Sequence, residues 1–575
     1  MKNREIATIL REIADFLEIQ EVQYKPRAYR TAARNVESLS EPIEDVHERG
    51  ELESVEGVGE SIGEKIAEYL ETGALAYYEE LKAELPVDIE AITSVEGVGP
   101  KTAKKLYLEL GVQTLEDLEA AAEEGEIAEL EGFGEKSQQN ILDHVDRAKA
   151  GQERMLLGRA FPIATDVKRR LEAEDAFDQV DIVGSFRRRR PTVGDLDVLA
   201  TASDPDGAMK AFCTHDDVKE VRSRGGTKAS VIVSGDLQMD LRIVTDEEYG
   251  AALVYFTGSK AHNITLRERA IERDWKLNEY GLFDVSAVDG EKDGQRAGDL
   301  LAGETEAAVY QTLDLDWIPP ELREDTGEVD AAADGTLPEL VELGEIRGDL
   351  QAHTEFSDGS HSVAEMADAA AERGLEYLLL TDHGPAAPIP SKLDADSFAE
   401  QRAAIEAANE DREITVLQGV EAEITENGLE LPEDWYADLD LVVAGMHSTP
   451  PNPTERVVNA LENFPVDVFA HPTNRLRNER DPLSLDLERI VETAAAEQVA
   501  LEINAQPARL DLDWQAVKAH REDVAYVVST DAHTTGELDF MHLGVSQARR
   551  GWCETENVLN TRPLENLLAF FESGQ

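Results

Sequence analysis

The chain has 575 residues, of which 120 are acidic and 55 basic, giving a formal charge of −65. That length needs more than one hydrophobic core, and 41% hydrophobic residues in periodic segments place the acidity on the surface rather than in disorder. The charge would repel nucleic acid in dilute solution, but in multimolar salt the Debye length falls to about 3 Å, so it excludes no ligand class and leaves an acidic calcium or interaction protein open.

Residues 1 to about 150 read as short helices, with apolar residues at i, i+3 and i+4 and glycine turns between them. Within them SVEGVGESIGEKIAEYL (54–70), SVEGVGPKTAKKLYLEL (94–110) and the looser ELEGFGEKSQQNIL (129–142) repeat one pattern, a Gly-containing turn leading into a helix. From 160 to 245 the runs VDIVGSF, LDVLAT, SVIVSG and LQMDLRIV predict a mixed sheet, and 246–318 returns to mixed helix and strand. Residues 319–345, rich in Pro, Gly, Asp and Ala without core periodicity, predict an interdomain linker. After 346, apolar runs alternate with Ala- and Glu-rich helical stretches, the pattern of parallel β/α units. Cys213 and Cys553 stand too far apart in sequence for a cysteine zinc site, and no run reaches the ~18 apolar residues of a membrane span, so a cytoplasmic chain is expected.

Several C-terminal runs end in metal-type ligands: Asp382 and His383, Glu421, His447, His471, Asp531 and His533, with His353 and Asp358 in the first unit. In a parallel β/α barrel the C-terminal strand ends converge on one mouth, so widely spaced ligands meet there. Imidazoles with carboxylates suit zinc, manganese or iron, which would turn a bridging water into a nucleophile for phosphate-ester hydrolysis. Unrelated strand-end polar residues would not keep five histidines in register. These residues resemble the PHP (polymerase and histidinol phosphatase) domain over 346–575, a distorted TIM-like β/α barrel. The resemblance implies metal ligands at Gln351, His353, Asp358, His383, Glu421, His447, His471, Asp531 and His533, with an Mn2+ or Zn2+ cluster. Gln351 stands where the family often has the first histidine of His-x-His. Arg475, in AHPTNRLRNERDP, is placed to hold substrate phosphate.

In the centre, Gly184-Ser185 precedes four arginines and then Asp195 and Asp197. Two carboxylates two apart on a strand leave the same face and can share divalent cations, and Asp240 in LQMDLRIV would complete a two-metal site. A lone D-x-D is more often solvated; the Gly-Ser turn and the arginines argue otherwise. This constellation, with YFTGSKAHNITLRERA (255–270) and WKLNEYGLF (275–283), resembles the nucleotidyltransferase palm and thumb of the family X DNA polymerases. The resemblance implies Mg2+ or Mn2+ on Asp195, Asp197 and Asp240, triphosphate on Ser185 and Arg188, and the incoming nucleotide on Tyr255, Phe256 and Asn263. The run 187–191 is more basic than the family's, which commonly has a glycine after two arginines.

The GVG turns, Gly57 and Gly59 in one copy and Gly97 and Gly99 in the next, read as helix-hairpin-helix motifs, whose backbone N–H groups hold phosphate without a basic surface. A plain helix pair joined by a tight turn is the alternative. By the same resemblance Lys65 would attack C1′ of an abasic sugar, with Tyr29 and Arg30 beside it, and Ser61 replaces a second lysine frequent in animal members.

The chain is therefore expected to hold a helical lyase-like domain (1–85), a helical DNA-binding domain (86–150), an α+β palm (151–245), a thumb (246–318), the linker and the barrel (346–575). The implied function is gap filling in base excision repair on gapped or nicked DNA with dNTPs, by a monomer. The barrel would act as a 3′–5′ exonuclease and could also cut at abasic sites. The acidic surface points to a halophile. Two other readings stay open: a small-molecule phosphatase with a silent polymerase module, and a non-catalytic DNA-end scaffold, against which the intact carboxylate triad argues.

Overall fold

The computed structural model describes residues 154–572 apart from 216, 234–236 and 288–294, and before them residues 3–19, 25–37, 43–50, 60–72, 100–130 and scattered positions between. The chain divides into two compact units, Met1–Arg154 and Met155–Gln575.

The described part of the first unit contains helices and no strand. Helix Asn3–Ile19 buries Ile6, Leu10, Ile13 and Leu17, the stripe that a 3.6-residue period places on one face. They share one core with Ala32, Ala33 and Val36 of Lys25–Glu37, Ile66 of Glu60–Thr72 and Leu106 of Pro100–Leu110, so a single cluster spans the regions expected at 1–85 and 86–150. Helix Leu115–Glu123 starts at a reciprocal cap: the Asp117 amide donates to Thr114 Oγ1 (3.2 Å) and the Thr114 amide to Asp117 Oδ2 (3.0 Å).

In the second unit, strands β1 (Gln179–Ile182), β2 (Asp195–Thr201), β3 (Val218–Arg224), β4 (Lys228–Val233) and β5 (Gln238–Val244) form one sheet in the order β1-β2-β5-β4-β3. Only the β2–β5 pair is parallel. Four of these strands match the apolar runs read from the sequence. The fifth, β3, is an edge strand whose residues after Val218 are all exposed, so it carries no apolar run to read. A second, antiparallel sheet follows, made of β6 (Trp275–Asn278), β7 (Gly281–Asp284) and β8 (Asp299–Ala302).

Residues 319–345 are not a solvated linker. Leu322, Val329, Ala332 and Leu340 are buried in the core that also holds Val309, Tyr310 and Leu313. Arg323, fully buried, donates to Glu306 and to the Ile318 carbonyl. The segment lacks helical or strand periodicity because its core residues come from short turns, the 3-10 turn Pro320–Leu322 and the two-turn helix Glu328–Asp334.

The C-terminal part is a seven-stranded parallel sheet: β9 (Gly348–Ala352), β10 (Tyr377–Leu380), β11 (Thr415–Thr425), β12 (Leu441–Gly445), β13 (Val468–Phe469), β14 (Ala500–Asn504) and β15 (Tyr526–Ser529). Just past β15, the Asp531 amide donates to the Gln351 carbonyl (3.0 Å) and the His353 amide to the Ala532 carbonyl (2.8 Å), closing the first strand onto the last. Every residue of β9, β10, β12, β14 and β15 is buried, as expected for parallel strands covered on both faces. Leu510 and Leu543, from this part of the chain, are fully buried in the same core as the β1–β5 sheet. Among the described residues no helix is long and apolar enough to cross a membrane.

Candidate metal centres

The parallel register of β2 and β5 sets Asp197 directly opposite Asp240. Asp195, two residues earlier on β2, leaves the same face, and single oxygens of all three carboxylates lie within 4.8 Å of one another. Burial, then the charges of Asp195 and Asp240, raise the Asp197 carboxyl to about 7. Such a cluster is costly without cations and suited to them. Gln238 Nε2 donates to both oxygens of Asp240, at 3.2 and 3.1 Å. Asp197 and Asp240 line a cavity of about 340 Å3 with Ser223, Lys228, Arg242 and Phe256.

Of the residues expected to contact the nucleotide, Phe256 lines this cavity. Ser185 is half-exposed on the short helix Gly184–Arg187. The Phe256 ring lies under the Arg242 guanidinium at 4.4 Å and packs edge-on against Tyr255. Asn263 Nδ2 donates to the Tyr255 carbonyl (2.7 Å), bracing the turn at Gly258. Arg188, by contrast, is 8% exposed, with Nε on Glu324 Oε1 (3.0 Å) and Nη1 on the Thr257 carbonyl (2.7 Å).

At the barrel mouth, ligand atoms of His353, Asp358, His383 and His533 form one group within 4.8 Å, and those of His383, Glu421 and His447 a second. Glu421 is the hub: Oε1 meets His471 Nε2 at 2.8 Å and His447 Nε2 at 3.2 Å, and Oε2 lies 3.4 Å from His383 Nδ1 and 3.5 Å from His353 Nε2. Burial would raise the Glu421 carboxyl, but His383 and His447 hold it well below the usual range. Burial would lower His447, yet Glu421 and Glu423 raise it to about 10. Both ring nitrogens of His353 and Nδ1 of His383 and of His471 are buried without a hydrogen-bond partner. Lone pairs gathered in this way are the donor set of a cation cluster. Asp531 adds an oxygen 3.2 Å from His353 Nε2. Gln351 is fully buried with both amide atoms unpartnered, on β9 two residues before His353.

Two expectations need correction. Asp382 does not face the metals: it accepts from the Thr354 amide, Thr354 Oγ1, Ser357 Oγ and Gln401 Nε2, and so organises the loop after β9. Arg475 is buried rather than open to solvent: Nε donates to the Arg509 carbonyl (2.9 Å) and Nη1 to Asp513 (3.1 Å), and Nη2 is buried without a hydrogen-bond partner. Arg509, which sequence reading missed, reaches the mouth, 3.5 Å from Asp531 Oδ2. Its only signal in the sequence is a position five residues after the end of β14. Glu423, also missed, holds His447 Nδ1 at 2.6 Å, a ligand-orienting contact two residues beyond Glu421 on β11.

In the first unit, Lys65 lies on helix Glu60–Thr72, with Nζ donating to the Ser61 carbonyl (3.1 Å) and Oγ (3.2 Å), 4.9 Å from the centre of the Tyr77 ring. Tyr29 is buried, which with Tyr77 pushes its hydroxyl up to about 12; Arg30 is half-exposed. Gly59 immediately precedes the helix, whereas Gly57, Gly97 and Gly99 lie outside the described residues.

Comparison with known proteins follows these divisions. Family models match for a helix-hairpin-helix domain over residues 1–75, a SAM-like helix-hairpin-helix tandem over 49–111 and 89–147, the DNA polymerase beta thumb over 252–324 and the PHP domain over 349–547. The chain is 36% identical over 582 residues, spanning the full length of both proteins, to the DNA polymerase/3′-5′ exonuclease PolX of Bacillus subtilis (strain 168). It is 27% identical to DNA polymerase lambda of Arabidopsis thaliana, over 56% of this chain and 62% of that protein. To DNA polymerase lambda of Rattus norvegicus it is 26% identical, over 56% of each.

Proposed function

The chain belongs to the family X DNA polymerases that carry a C-terminal PHP domain, and from that premise we propose how its residues divide the work. It is a DNA-directed DNA polymerase that fills short gaps in DNA, joined to a metal-dependent 3′–5′ exonuclease. The observation that carries the polymerase reading is the register of Asp197 against Asp240 with Asp195 on the same face.

Asp195, Asp197 and Asp240 would hold Mg2+ or Mn2+, which when bound neutralise charge on the attacking and leaving oxygens. Asp240, steadied by Gln238, would favour loss of the primer 3′-hydroxyl proton. Ser185 and Arg188 are assigned to the triphosphate, and Tyr255, Phe256 and Asn263 to the sugar and base. In the barrel, the histidines, Asp358, Glu421 and Asp531 would hold Mn2+ or Zn2+, which supply an activated water. Gln351 offers a neutral oxygen to that cluster, and Arg509 a positive charge for the scissile phosphate.

The helix-hairpin-helix turns at Gly57-Gly59 and Gly97-Gly99, with Tyr29 and Arg30, would contact the DNA backbone through main-chain donors. Lys65 would serve abasic-sugar chemistry, and the barrel would cut at abasic sites, roles that together suit base excision repair on gapped or nicked DNA. The charge of −65 fits the salt-rich cytoplasm of a halophile, with the enzyme acting as a monomer.

One gel tests the division. A 5′-labelled primer on one-nucleotide-gapped DNA, in concentrated KCl with Mg2+ or Mn2+, should be extended when dNTPs are present and shortened when they are absent. Asp197→Ala should abolish extension only, and His353→Ala shortening only. Hydrolysis of sugar phosphates with neither band moving would overturn the repair reading in favour of a phosphatase.

A further inference from the structure

Three of the four arginines at 187–190 pair with glutamates distant in sequence. Arg187 pairs with Glu306, itself held by Arg323. Arg188 pairs with Glu324, whose carboxylate lies within reach of two more guanidiniums, Arg550 at 3.1 Å and Arg190 at 3.8 Å. Arg550 is the last residue of helix Met541–Arg550, which belongs to the barrel, 362 residues along the chain from Arg188. It is 1% exposed and stacks 4.9 Å from the ring centre of Trp514, another barrel residue.

The geometry is a closed loop of three residues. Arg550 Nη1 donates to the Arg188 main-chain carbonyl and Nη2 to Glu324 Oε1, and that same oxygen accepts from Arg188 Nε at 3.0 Å. Arg550 thus holds Arg188 twice, by its backbone directly and by its side chain through Glu324. The turn it grips is conformationally demanding, since Arg189 follows at φ +56°. One carboxylate among three guanidiniums leaves the cluster positively charged, the sign that a triphosphate needs, in a chain of charge −65. Without Arg550, Glu324 would be balanced mainly by Arg188 and would compete with phosphate for it.

We propose that Arg550 of the barrel domain is a positioning residue for the polymerase: it fixes the Arg188 turn and shares the charge of Glu324, so that Arg188 can accept the nucleotide's phosphates. The proposal rests on the reading of Arg188 as a triphosphate contact. It makes the barrel part of the nucleotide site, independently of its own metal chemistry.

The test measures KM and kcat for single-nucleotide insertion on gapped DNA, with 3′-end degradation and melting temperature measured on the same full-length preparations. Arg550→Met should raise the nucleotide KM about tenfold, the scale of a lost charged hydrogen bond, with kcat within about twofold and degradation unchanged. Arg550→Lys, which keeps the charge and can reach the Arg188 carbonyl, should fall between parent and Arg550→Met. Adding Glu324→Gln to Arg550→Met should return KM toward the parent value, which a merely structural role would not do. An unchanged KM in both Arg550 variants overturns the proposal, as does joint loss of both activities and melting temperature in both. If Arg188→Ala also leaves KM unchanged, the reading of Arg188 has failed and the proposal with it; if it raises KM while Arg550→Met does not, the proposal alone has failed.

Discussion

Gly184 sits at φ +66°, and a Cβ added there would lie 2.4 Å from Asp197 Oδ2. Only glycine combines that backbone with so close an approach to a carboxylate. Gly184→Ala should displace Asp197 and reduce nucleotide insertion at least about a hundredfold, by the scale on which small misplacements act, while leaving 3′-end degradation intact; equal loss of both activities would refute the local explanation. Asp197 makes a second prediction. Burial and its two acidic neighbours raise its carboxyl to about 7, so the folded chain holds this proton more tightly than the unfolded chain. Its contribution to stability is therefore largest below about pH 4 and is lost as pH rises toward 7. In concentrated KCl freed of divalent cations, Asp197→Asn should melt higher than the parent at pH 8, with the difference vanishing near pH 4; a difference constant across pH would refute it. The spacing of Asp195 and Asp197 made this centre legible, because strand period and metal chemistry act over two residues. The second role of Arg188 was not legible, because its partners stand 136 and 362 residues away.

At the scale of elements, the apolar runs that became β1, β2, β4, β5 and the barrel strands were readable because burial on a sheet face imposes a pattern. Segment 319–345 was misread because its apolar residues reach the core from short turns and its remaining order comes from buried polar partners. His262 Nδ1 meets Glu328 Oε1 at 2.6 Å with both side chains fully buried, and Glu328 also accepts from the amides of Asp325 and Thr326. Burial would raise the Glu328 carboxyl, but His262 and the Thr326 amide hold it below its ordinary value. Removing one partner leaves the other uncompensated, so Glu328→Ala should cost about 3–5 kcal/mol. Urea unfolding checks this, and the loss should be nearly the same at 1 and 3 M KCl because a buried pair is little screened. A loss that shrinks steeply with salt would place the interaction at the surface instead.

For the molecule as a whole, the question is why the barrel is fused to the polymerase. Leu510 and Leu543 are fully buried in the palm's own core, and Pro507 packs so closely on Gly158 that an added Cβ would lie 2.5 Å away. Arg549 reaches back to Glu321 (2.9 Å) and Glu342 (2.7 Å), both in the segment that joins the two parts. Cutting the chain after residue 345 would therefore expose apolar surface, leave Glu321 and Glu342 without Arg549, and leave Glu324 with Arg188 and Arg190 but without Arg550. The remaining fragment should lose stability even in concentrated salt, where surface repulsion is screened. Salt separates this defect from the acidity of the surface. The intact chain should unfold on dilution to about 0.1 M KCl, where the Debye length returns to about 10 Å, and refold when salt is restored. The fragment should aggregate or stay unfolded at both concentrations, because added salt strengthens apolar association without supplying the missing partner surface. A fragment with a cooperative melt in 3 M KCl like that of the intact chain would show that the shared core is dispensable, and that the barrel is an accessory to the polymerase rather than part of its fold.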